Sequence, residues 1–599
     1  MAKRLTRAEV PVELTWNLAD LFPSAEAWEA AFASVEACLP TVTRFKGHLG
    51  EGAAVLLECL EAREALLEQY DRVATYARLR LAEDGTSPAH QAAFARAAAL
   101  GARLGAALAF IPTELLSLPA GTLERYLAEE PNLEPYRKYL TDLAEQKPHT
   151  LSPETEEVLA ALEEVTDAPY VIYERTKSAD MSFEPIRGPQ GQELPMSFAL
   201  YEDRYEQEPD ARVRRAAYAS FTRGLKAYQH TLAATFATEV RKHVVLARLR
   251  GYPSAEAMLL HQQQVSLEGY HNVLDIIQAE LAPHMRRYAR LRRRVLGLDE
   301  LLVCDLKAPL DPGYNPATTF AEASRLILEA VSVMGDEYTE VIRRALTERW
   351  VDRADNVGKS TGAFCAAPYG AHPYILITWQ DTLRSAFVLA HELGHAAHFA
   401  LNQPIQRLIN TRPSTYFIEA PSTLNELLLG QHILARSADP RMRRWVIAQM
   451  LGTYYHNFVT HLLEGELQRR IYRLAEAGTP ITAAVLSETK GAILQEFWGD
   501  TVVIDEGARL TWMRQPHYYM GLYPYTYSAG LTVATAVARA VREEGHPAVE
   551  RWLRTLKAGG TLKPLDLIRL AGVDTSTPEP IHQAVAYVGS LVDQLEALY

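Results

Sequence analysis

Apolar residues recur at helical spacing through most of this 599-residue sequence, and this periodicity restricts the fold more than any other feature. It is clearest in residues 25–162, where Ala, Leu, Glu and Arg dominate, all of them good helix formers. Breaks fall at residues that interrupt a helix, near Pro40, Gly47, Pro88, Pro112 and Pro148. The sequence therefore predicts a mainly α fold with a minor β component, built from several antiparallel helices and too long for one simple core.

The first departure from the helical pattern lies between about residues 169 and 198. Here β-branched and aromatic residues accompany a Gly-Pro-Gln-Gly turn, which predicts a small β-hairpin. We place the domain boundaries at this change of pattern. The predicted units are an N-terminal helical module at 1–168, a hairpin-containing connector at 169–200 and a helical catalytic region at 201–599.

The second departure covers residues 358–382, which are rich in Gly, Ala and Ser. Its segment PYILITW has the β-branched and aromatic content of a short strand. The last two residues of the 358–382 stretch, Asp381 and Thr382, are both suitable helix N-caps. A helix is therefore predicted to begin directly after this strand.

Composition and charge argue against nucleic acid and membrane as partners. Lys and Arg number 61 against 74 Asp and Glu, and the densest basic stretch, Arg286–Arg294, lies within a helical pattern. The most apolar stretch, 92–111, is interrupted by Arg96 and Arg103, which is typical of a packed helix. The four cysteines lack CxxC spacing, and the N-terminal residues lack the apolar segment of a secretion signal. We therefore expect a soluble, cytoplasmic protein.

The segment HELGHAAH (391–398) lies inside the helix predicted after the strand. His391 and His395 are four residues apart, so both imidazoles lie on one helix face, one turn apart. Such a pair can hold one Zn²⁺ and leave a position open for water. Glu392 is adjacent to the first ligand and can reach that water without binding the metal, as a general base must.

A zinc site of this kind needs a third protein ligand. The metzincin pattern would put Gly at 398 and His at 401, but the chain has His398 and Leu401, which excludes that class. The best candidate is Glu419, at the start of an apolar-periodic helix, where an isolated carboxylate is costly unless it is paired or metal-bound. Glu426 lies two turns further on. Its carboxylate could orient a ligand imidazole or simply lie on the helix surface, and the sequence favours neither role. For His398 we expect a structural or cleft-wall role.

These segments together resemble the M3 family of zinc oligopeptidases, and most closely its oligoendopeptidase F branch. The resemblance rests on HELGHAAH followed by FIEAPSTLNE, and extends to TWNLADLFPSAEAW, GAFCAAPYGAHPYILITWQDT and PHYYMGLYPYTYSAG. It implies a nearly all-helical fold whose two halves enclose a deep substrate channel that admits short peptides. It also implies one Zn²⁺ held by His391, His395 and Glu419, with Glu392 as the general base.

The Tyr-rich segment 516–530 is the densest source of donors for a tetrahedral oxyanion. Each aromatic residue in it, taken singly, is also compatible with ordinary packing. The resembling family uses a His and Tyr residues from this region, and on that basis we select His517 and Tyr523. The resemblance further implies that extended substrate pairs with a strand edge, and we expect PYILITW to form that edge.

We therefore expect a zinc-dependent endopeptidase that hydrolyses internal bonds of short, unfolded oligopeptides. Two alternatives stay open at this point. A carboxypeptidase or dipeptidyl carboxypeptidase on the same scaffold would need a cationic group for the free C-terminal carboxylate. A non-catalytic peptide-binding protein would have no need of a base such as Glu392 beside the metal.

Overall fold

The structure, a computed structural model, describes residues 4–599, and most of them are helical. The N-terminal third contains α1 (Ala25–Thr43), α2 (Ala53–Glu83), α3 (Pro88–Leu108), α4 (Phe110–Ser117), α5 (Thr122–Glu129), α6 (Arg137–Gln146), α7 (Pro153–Ala161), α8 (Glu163–Thr166) and α9 (Ala168–Arg175). The middle of the chain contains α10 (Phe198–Asp203), α11 (Ala211–Leu249), α12 (Ala255–Gln263), α13 (Leu267–Ile276), α14 (Ala282–Val295), α15 (Phe320–Val331) and α16 (Asp336–Thr347).

The remaining α-helices belong to the C-terminal part of the chain. They are α17 (Leu383–Asn402), α18 (Thr415–Ile418), α19 (Ala420–Arg436), α20 (Pro440–Tyr454), α21 (His461–Glu476), α22 (Ala483–Trp498), α23 (Glu506–Arg509), α24 (Pro524–Glu544), α25 (His546–Ala558), α26 (Pro564–Leu570) and α27 (Glu579–Ala597). The strands are β1 (Ile186–Arg187), β2 (Glu193–Leu194), β3 (Val351–Asp352), β4 (Phe364–Ala366) and β5 (Tyr374–Leu376). The prediction of a mainly α fold with a minor β component is confirmed.

Hydrophobic side chains form three buried clusters in the described residues. One contains residues between Trp28 and Leu143, contributed by the helices α1–α6 and their connections. The largest begins at Tyr173 and extends to Leu595. The third joins the N-terminal segment and α2 to the strands β4 and β5. The first two clusters leave a gap between Leu143 and Tyr173, and the domain boundaries after 168 and 200 stay predictions.

The predicted hairpin is present but shorter than expected. β1 and β2 pair antiparallel, with Ile186 opposite Leu194. The preceding segment YVIYER, which we assigned to the β region, is instead α9, and a π-helical turn, Thr176–Asp180, continues it. Tyr173 is buried there and α9 packs against α11, so tertiary packing overrides the β propensity of its aromatic and β-branched residues.

The second β region is a three-stranded sheet in the order β3-β5-β4. Ile375 of β5 lies opposite Val351 of the parallel strand β3 and opposite Cys365 of the antiparallel strand β4. The expectation that PYILITW forms an open edge is therefore wrong, because both of its sides are already paired. The strand β4 lies at the edge of the sheet, and among residues 4–599 its backbone ladder is with β5 alone.

One helical stretch in residues 4–599, Pro88–Ser117, is long and apolar enough to cross a membrane. One such stretch is weak evidence of a membrane span, because core helices of soluble proteins can be equally long and apolar. Here it packs against α1 and α2. Its two arginines pair with acidic residues of α1, Arg96 with Glu29 and Arg103 with Glu36. These contacts support the interpretation of α3 as a packed helix.

A buried charge network joins the N-terminal segment and α2 to the sheet. Lys359 donates to Asp352 Oδ1 at 2.7 Å and to nearby backbone carbonyls, and its side chain is 1% exposed. Arg7 bridges Asp352 and Glu83, at 2.5 and 2.8 Å. Trp16 Nε1 also donates to Glu83. Two cations balance two carboxylates here, so removing one cation leaves an excess of buried negative charge.

Replacing Lys359 with Ala is expected to destabilise the fold by up to about 3–5 kcal/mol, since the Asp352 carboxylate would lose one of its two cationic partners and keep only Arg7. The midpoint of thermal unfolding measures the effect. Lys226→Ala is the control, because Lys226 and its partner Glu506 are both exposed and such pairs contribute little. Equal midpoints for the two variants would contradict a stabilising role for the buried network.

Candidate metal centre

The helix α17 carries the first part of the site. Thr382 caps it by accepting a hydrogen bond from Ser385 N, as predicted, and most of its residues are buried. His391 and His395 lie on one face, with ring centroids 5.1 Å apart. Their side chains keep 26% and 14% of their surface exposed, so the pair lies at the edge of the core and not inside it.

Glu419 comes to these two imidazoles from the junction of α18 and α19. Its Oε2 lies 3.5 Å from His391 Nε2 and 3.4 Å from His395 Nε2. The ligand atoms of the three residues all lie within 4.8 Å of one another, close enough to hold a single metal ion. The structure thus brings together the three residues that the sequence singled out as ligands.

Glu426 fixes the orientation of the first imidazole. Its Oε1 lies 2.7 Å from His391 Nδ1, and its Oε2 accepts a hydrogen bond from Thr453 at 2.8 Å. With Nδ1 engaged in this way, Nε2 is directed towards Glu419. Of the two alternatives left open for Glu426, the geometry favours orienting a ligand imidazole over a plain surface position.

Glu392 lies beside the cluster without joining it. Its side chain is buried, with 6% of the residue exposed. Burial raises the pKa of its carboxyl above the ordinary value, and the two neighbouring imidazoles act in the opposite direction. A carboxylate in this position can exchange a proton with a molecule bound at the cluster.

The close approach of α17 and α19 makes this geometry possible. A Cβ on Gly394 would lie 2.4 Å from the carbonyl oxygen of Pro421, so only Gly allows the two backbones to come this near. A second contact fixes their register: Asn425 Nδ2 donates to the Ala390 carbonyl, and Tyr338 donates to Asn425 Oδ1. These residues position Glu419 although none of them touches a ligand atom of the cluster.

The third side of the site is the start of α24. Gly530 packs on Glu419, where an added Cβ would lie 3.0 Å from the Glu419 Cβ. Tyr527 precedes Gly530 by almost one turn, and Tyr523 lies one turn earlier at the N-cap. Burial raises the pKa of both hydroxyls, and the Glu419 charge raises it further. The two tyrosines therefore lie in the electrostatic field of Glu419.

His517 belongs to the same aromatic group. It lies in the 3-10 segment Pro516–Tyr519, with its ring centroid 5.4 Å from that of Tyr523 and 5.5 Å from that of Tyr527. The two tyrosine rings are 5.4 Å apart. The structure thus groups both residues selected from this segment, His517 and Tyr523, and adds Tyr527 to them.

His398 is fully buried and takes no part in the cluster. Its ring lies between Phe399 and Phe417, and neither ring nitrogen has a hydrogen-bond partner. Burial lowers the pKa of His398 to about 3, so the imidazole is neutral. Of the two roles expected for it, the structural one fits, because a fully buried ring does not line a cleft.

Three residues of the site, Thr453, Gly394 and Gly530, were not indicated by the sequence, and Tyr527 lies in the predicted donor segment but was not selected. Thr453 has no local signal, since its contact with Glu426 joins two helices. Tyr527 is spaced one turn from Tyr523 and almost one turn from Gly530, and this spacing on one helix face could have identified it.

Replacing Gly394 with Ala is expected to push α17 away from α19, because the added Cβ would lie 2.4 Å from Pro421 O. Overpacking of this kind costs about 1–3 kcal/mol. Metal affinity should also fall as Glu419 moves away from the imidazoles. Thermal unfolding and metal content after dialysis measure the two effects. Gly452→Ala in α20 is the matched control, since nothing lies within 4 Å of a Cβ added there. Equal unfolding midpoints and metal contents of the two variants would contradict the proposed role of Gly394.

Comparison with known proteins identifies the family of the chain. The model of peptidase family M3 matches residues 204–587, and a model described as oligopeptidase F matches residues 114–183. The chain is 32% identical to oligopeptidase PepF of Bacillus subtilis, over 99% of this chain and 88% of that one. It is 28% identical to the plasmid oligoendopeptidase F of Lactococcus lactis subsp. cremoris, over 100% and 99% of the two chains.

A solved structure gives the same result for the fold. Oligoendopeptidase-F from Enterococcus faecium matches with a TM-score of 0.76 and 27% identity, covering 96% of this chain and 99% of that one. The described helices and the two-histidine, one-glutamate cluster are thus found in a chain that is similar to oligopeptidases over nearly its whole length. The chain belongs to peptidase family M3, in its oligopeptidase F branch.

Proposed function

We propose that this chain is a zinc-dependent endopeptidase that hydrolyses internal peptide bonds of short, unfolded oligopeptides. The observation that carries the proposal is the convergence of His391, His395 and Glu419 beside the buried carboxylate of Glu392. Membership of the M3 family and similarity to oligoendopeptidases support the endopeptidase over a carboxypeptidase or a peptide-binding protein. We further propose that the enzyme is cytoplasmic and receives its substrates through a channel between its two halves.

The donor set suits Zn²⁺. Two imidazole nitrogens and one carboxylate oxygen are its usual protein ligands in catalytic sites, and three protein ligands leave a fourth position for water or substrate. The partial exposure of His391 and His395 is consistent with an open position. When bound here, Zn²⁺ would lower the pKa of a coordinated water and polarise the scissile carbonyl.

The side chains around the cluster divide the remaining work. Glu392 accepts the proton of the attacking water and then donates it to the leaving amine. His517, Tyr523 and Tyr527 donate hydrogen bonds to the carbonyl oxygen as negative charge develops on it. Glu426 holds the His391 ring through Nδ1, which leaves Nε2 as the atom that would bind Zn²⁺.

Extended substrate is proposed to pair with β4 and not with PYILITW. The strand β4 has one side free of backbone partners in residues 4–599, whereas β5 is paired on both sides. The strand β4 also packs against α17, the helix that carries Glu392. Pairing through the backbone predicts a broad tolerance of substrate sequence.

Glu392→Gln is expected to lower kcat by at least about 10²–10⁴-fold, since the amide cannot accept the proton of the attacking water. Zinc should remain bound at one equivalent, because Glu392 is not a proposed ligand. Hydrolysis of an internally quenched peptide and metal analysis of the same sample measure the two quantities. Glu329→Gln, an exposed carboxylate paired with Arg436, is the control and should retain activity. Full activity of zinc-loaded Glu392→Gln would overturn the proposed base.

Tyr523→Phe and Tyr527→Phe are each expected to lower kcat, with little change in KM, because the lost hydroxyl acts mainly on the oxyanion. Removing one oxyanion donor typically costs about 10²–10³-fold in kcat. Tyr525→Phe is the matched control, since the Tyr525 hydroxyl is directed away from this group and donates to Gln263 at 2.7 Å. If Tyr523→Phe and Tyr527→Phe both retained the kcat of Tyr525→Phe, the proposed oxyanion role would be wrong.

A further inference from the structure

A second group of potential metal ligands lies outside the proposed catalytic cluster. It consists of His461 and Glu464 from the first turn of α21 and His517 from the segment Pro516–Tyr519. One ligand atom of each residue lies within 4.8 Å of those of the other two, as is also the case in the catalytic cluster. His461 and Glu464 are three residues apart on α21, so both side chains leave the helix on the same face.

The surroundings of this group are unusual for an ordinary core. His461 and Glu464 are almost fully buried, and His461 Nδ1 lies 2.7 Å from Glu464 Oε2. The Nδ1 atom of His517 is also buried, yet it has no hydrogen-bond partner. A fourth side chain, His456, places its Nε2 3.1 Å from His461 Nε2. Buried polar atoms are normally satisfied, and this unpartnered imidazole nitrogen, unlike those of His398, belongs to a ring that lies beside a carboxylate and a second imidazole, so the group has donors available to bind a cation.

We propose that His461, Glu464 and His517 form a second divalent-cation site, which Zn²⁺ occupies only after the catalytic site is filled. Two nitrogens and one oxygen are donors that Zn²⁺ accepts readily. The order of filling follows from the local charges. Around the first cluster lie the carboxylates of Glu392, Glu419 and Glu426, whereas the second cluster has Glu464 alone, and the buried Lys490 interacts with that carboxylate.

Occupation of the second site has a consequence that rests on the proposed function. His517 is one of the three residues proposed to hydrogen-bond the developing oxyanion. A Zn²⁺ bound to one nitrogen of His517 holds that ring on His461 and Glu464, so its other N–H is no longer free to turn towards a substrate carbonyl at the catalytic cluster. Excess zinc is therefore expected to inhibit the enzyme that the first zinc activates.

Equilibrium dialysis of the full chain against buffered free Zn²⁺, followed by metal analysis, tests the site directly. Wild-type protein should bind one equivalent at low free zinc and a second at higher concentration. In His461→Gln and in Glu464→Gln, which each remove a proposed ligand, the second equivalent should bind more weakly by at least the factor of about 10–100 that loss of an outer partner costs, or not at all, while the first is retained. The retained first equivalent also shows that each variant is folded. His243→Gln is the control, because His243 is also buried beside a carboxylate, Glu239, but lies outside both clusters.

Two results would overturn the site: binding of a single equivalent by wild-type protein at every zinc concentration, or an unchanged second equivalent in both cluster variants. Neither result depends on peptide hydrolysis, so failure of the site is distinguishable from failure of the proposed function. Activity then tests the consequence. The zinc concentration that halves activity should rise in His461→Gln and Glu464→Gln in parallel with the loss of the second equivalent. Inhibition that persists unchanged in both variants would overturn the link between this site and the reaction.

Discussion

The contact between α17 and α19 is the constraint on which the rest of the site depends. The two histidines need only a helix, but the third ligand must come from a different part of the chain. Gly394 lets the backbone of α19 approach α17 closely enough for Glu419 to reach both imidazoles, and Asn425 fixes the register of the two helices. Gly530 then allows α24 to pack on Glu419, which brings the tyrosines of its first turns towards the same carboxylate.

Buried charge organises the protein at two levels. In the fold, the network of Arg7, Glu83, Asp352 and Lys359 joins the N-terminal segment and α2 to the small sheet beside α17. In the site, three carboxylates lie around the partly exposed imidazoles of His391 and His395. A divalent cation would balance the negative charge of these carboxylates. The second histidine cluster has a single carboxylate, and the difference in charge gives the two proposed metal sites different affinities.

The sequence predicts the features that depend on local spacing. The helix around His391 and His395, its Thr382 cap and the start of a helix near Glu419 all follow from periodicity and capping within one segment. The position of PYILITW in the sheet does not follow from local spacing, because its partners β3 and β4 come from separate parts of the chain. Only the assembled sheet shows that this strand is central. The segment 169–175 was predicted wrongly for a related reason, since the packing of Tyr173 and not its β propensity decides its conformation. Thr453 and Tyr527 enter the site through contacts between helices, which no single segment encodes.

The central claim is that one metal ion at His391, His395 and Glu419 enables the chain to cut peptides internally. Mass-spectrometric mapping of cleavage in a mixed pool of short peptides, with metal analysis of the same enzyme sample, tests it most directly. The account predicts internal cuts that disappear when a chelator removes about one equivalent of metal and return when one equivalent of Zn²⁺ is added back. Internal cuts that continue after the metal has been removed, or products trimmed only from the C-terminus by the zinc-loaded enzyme, would contradict it.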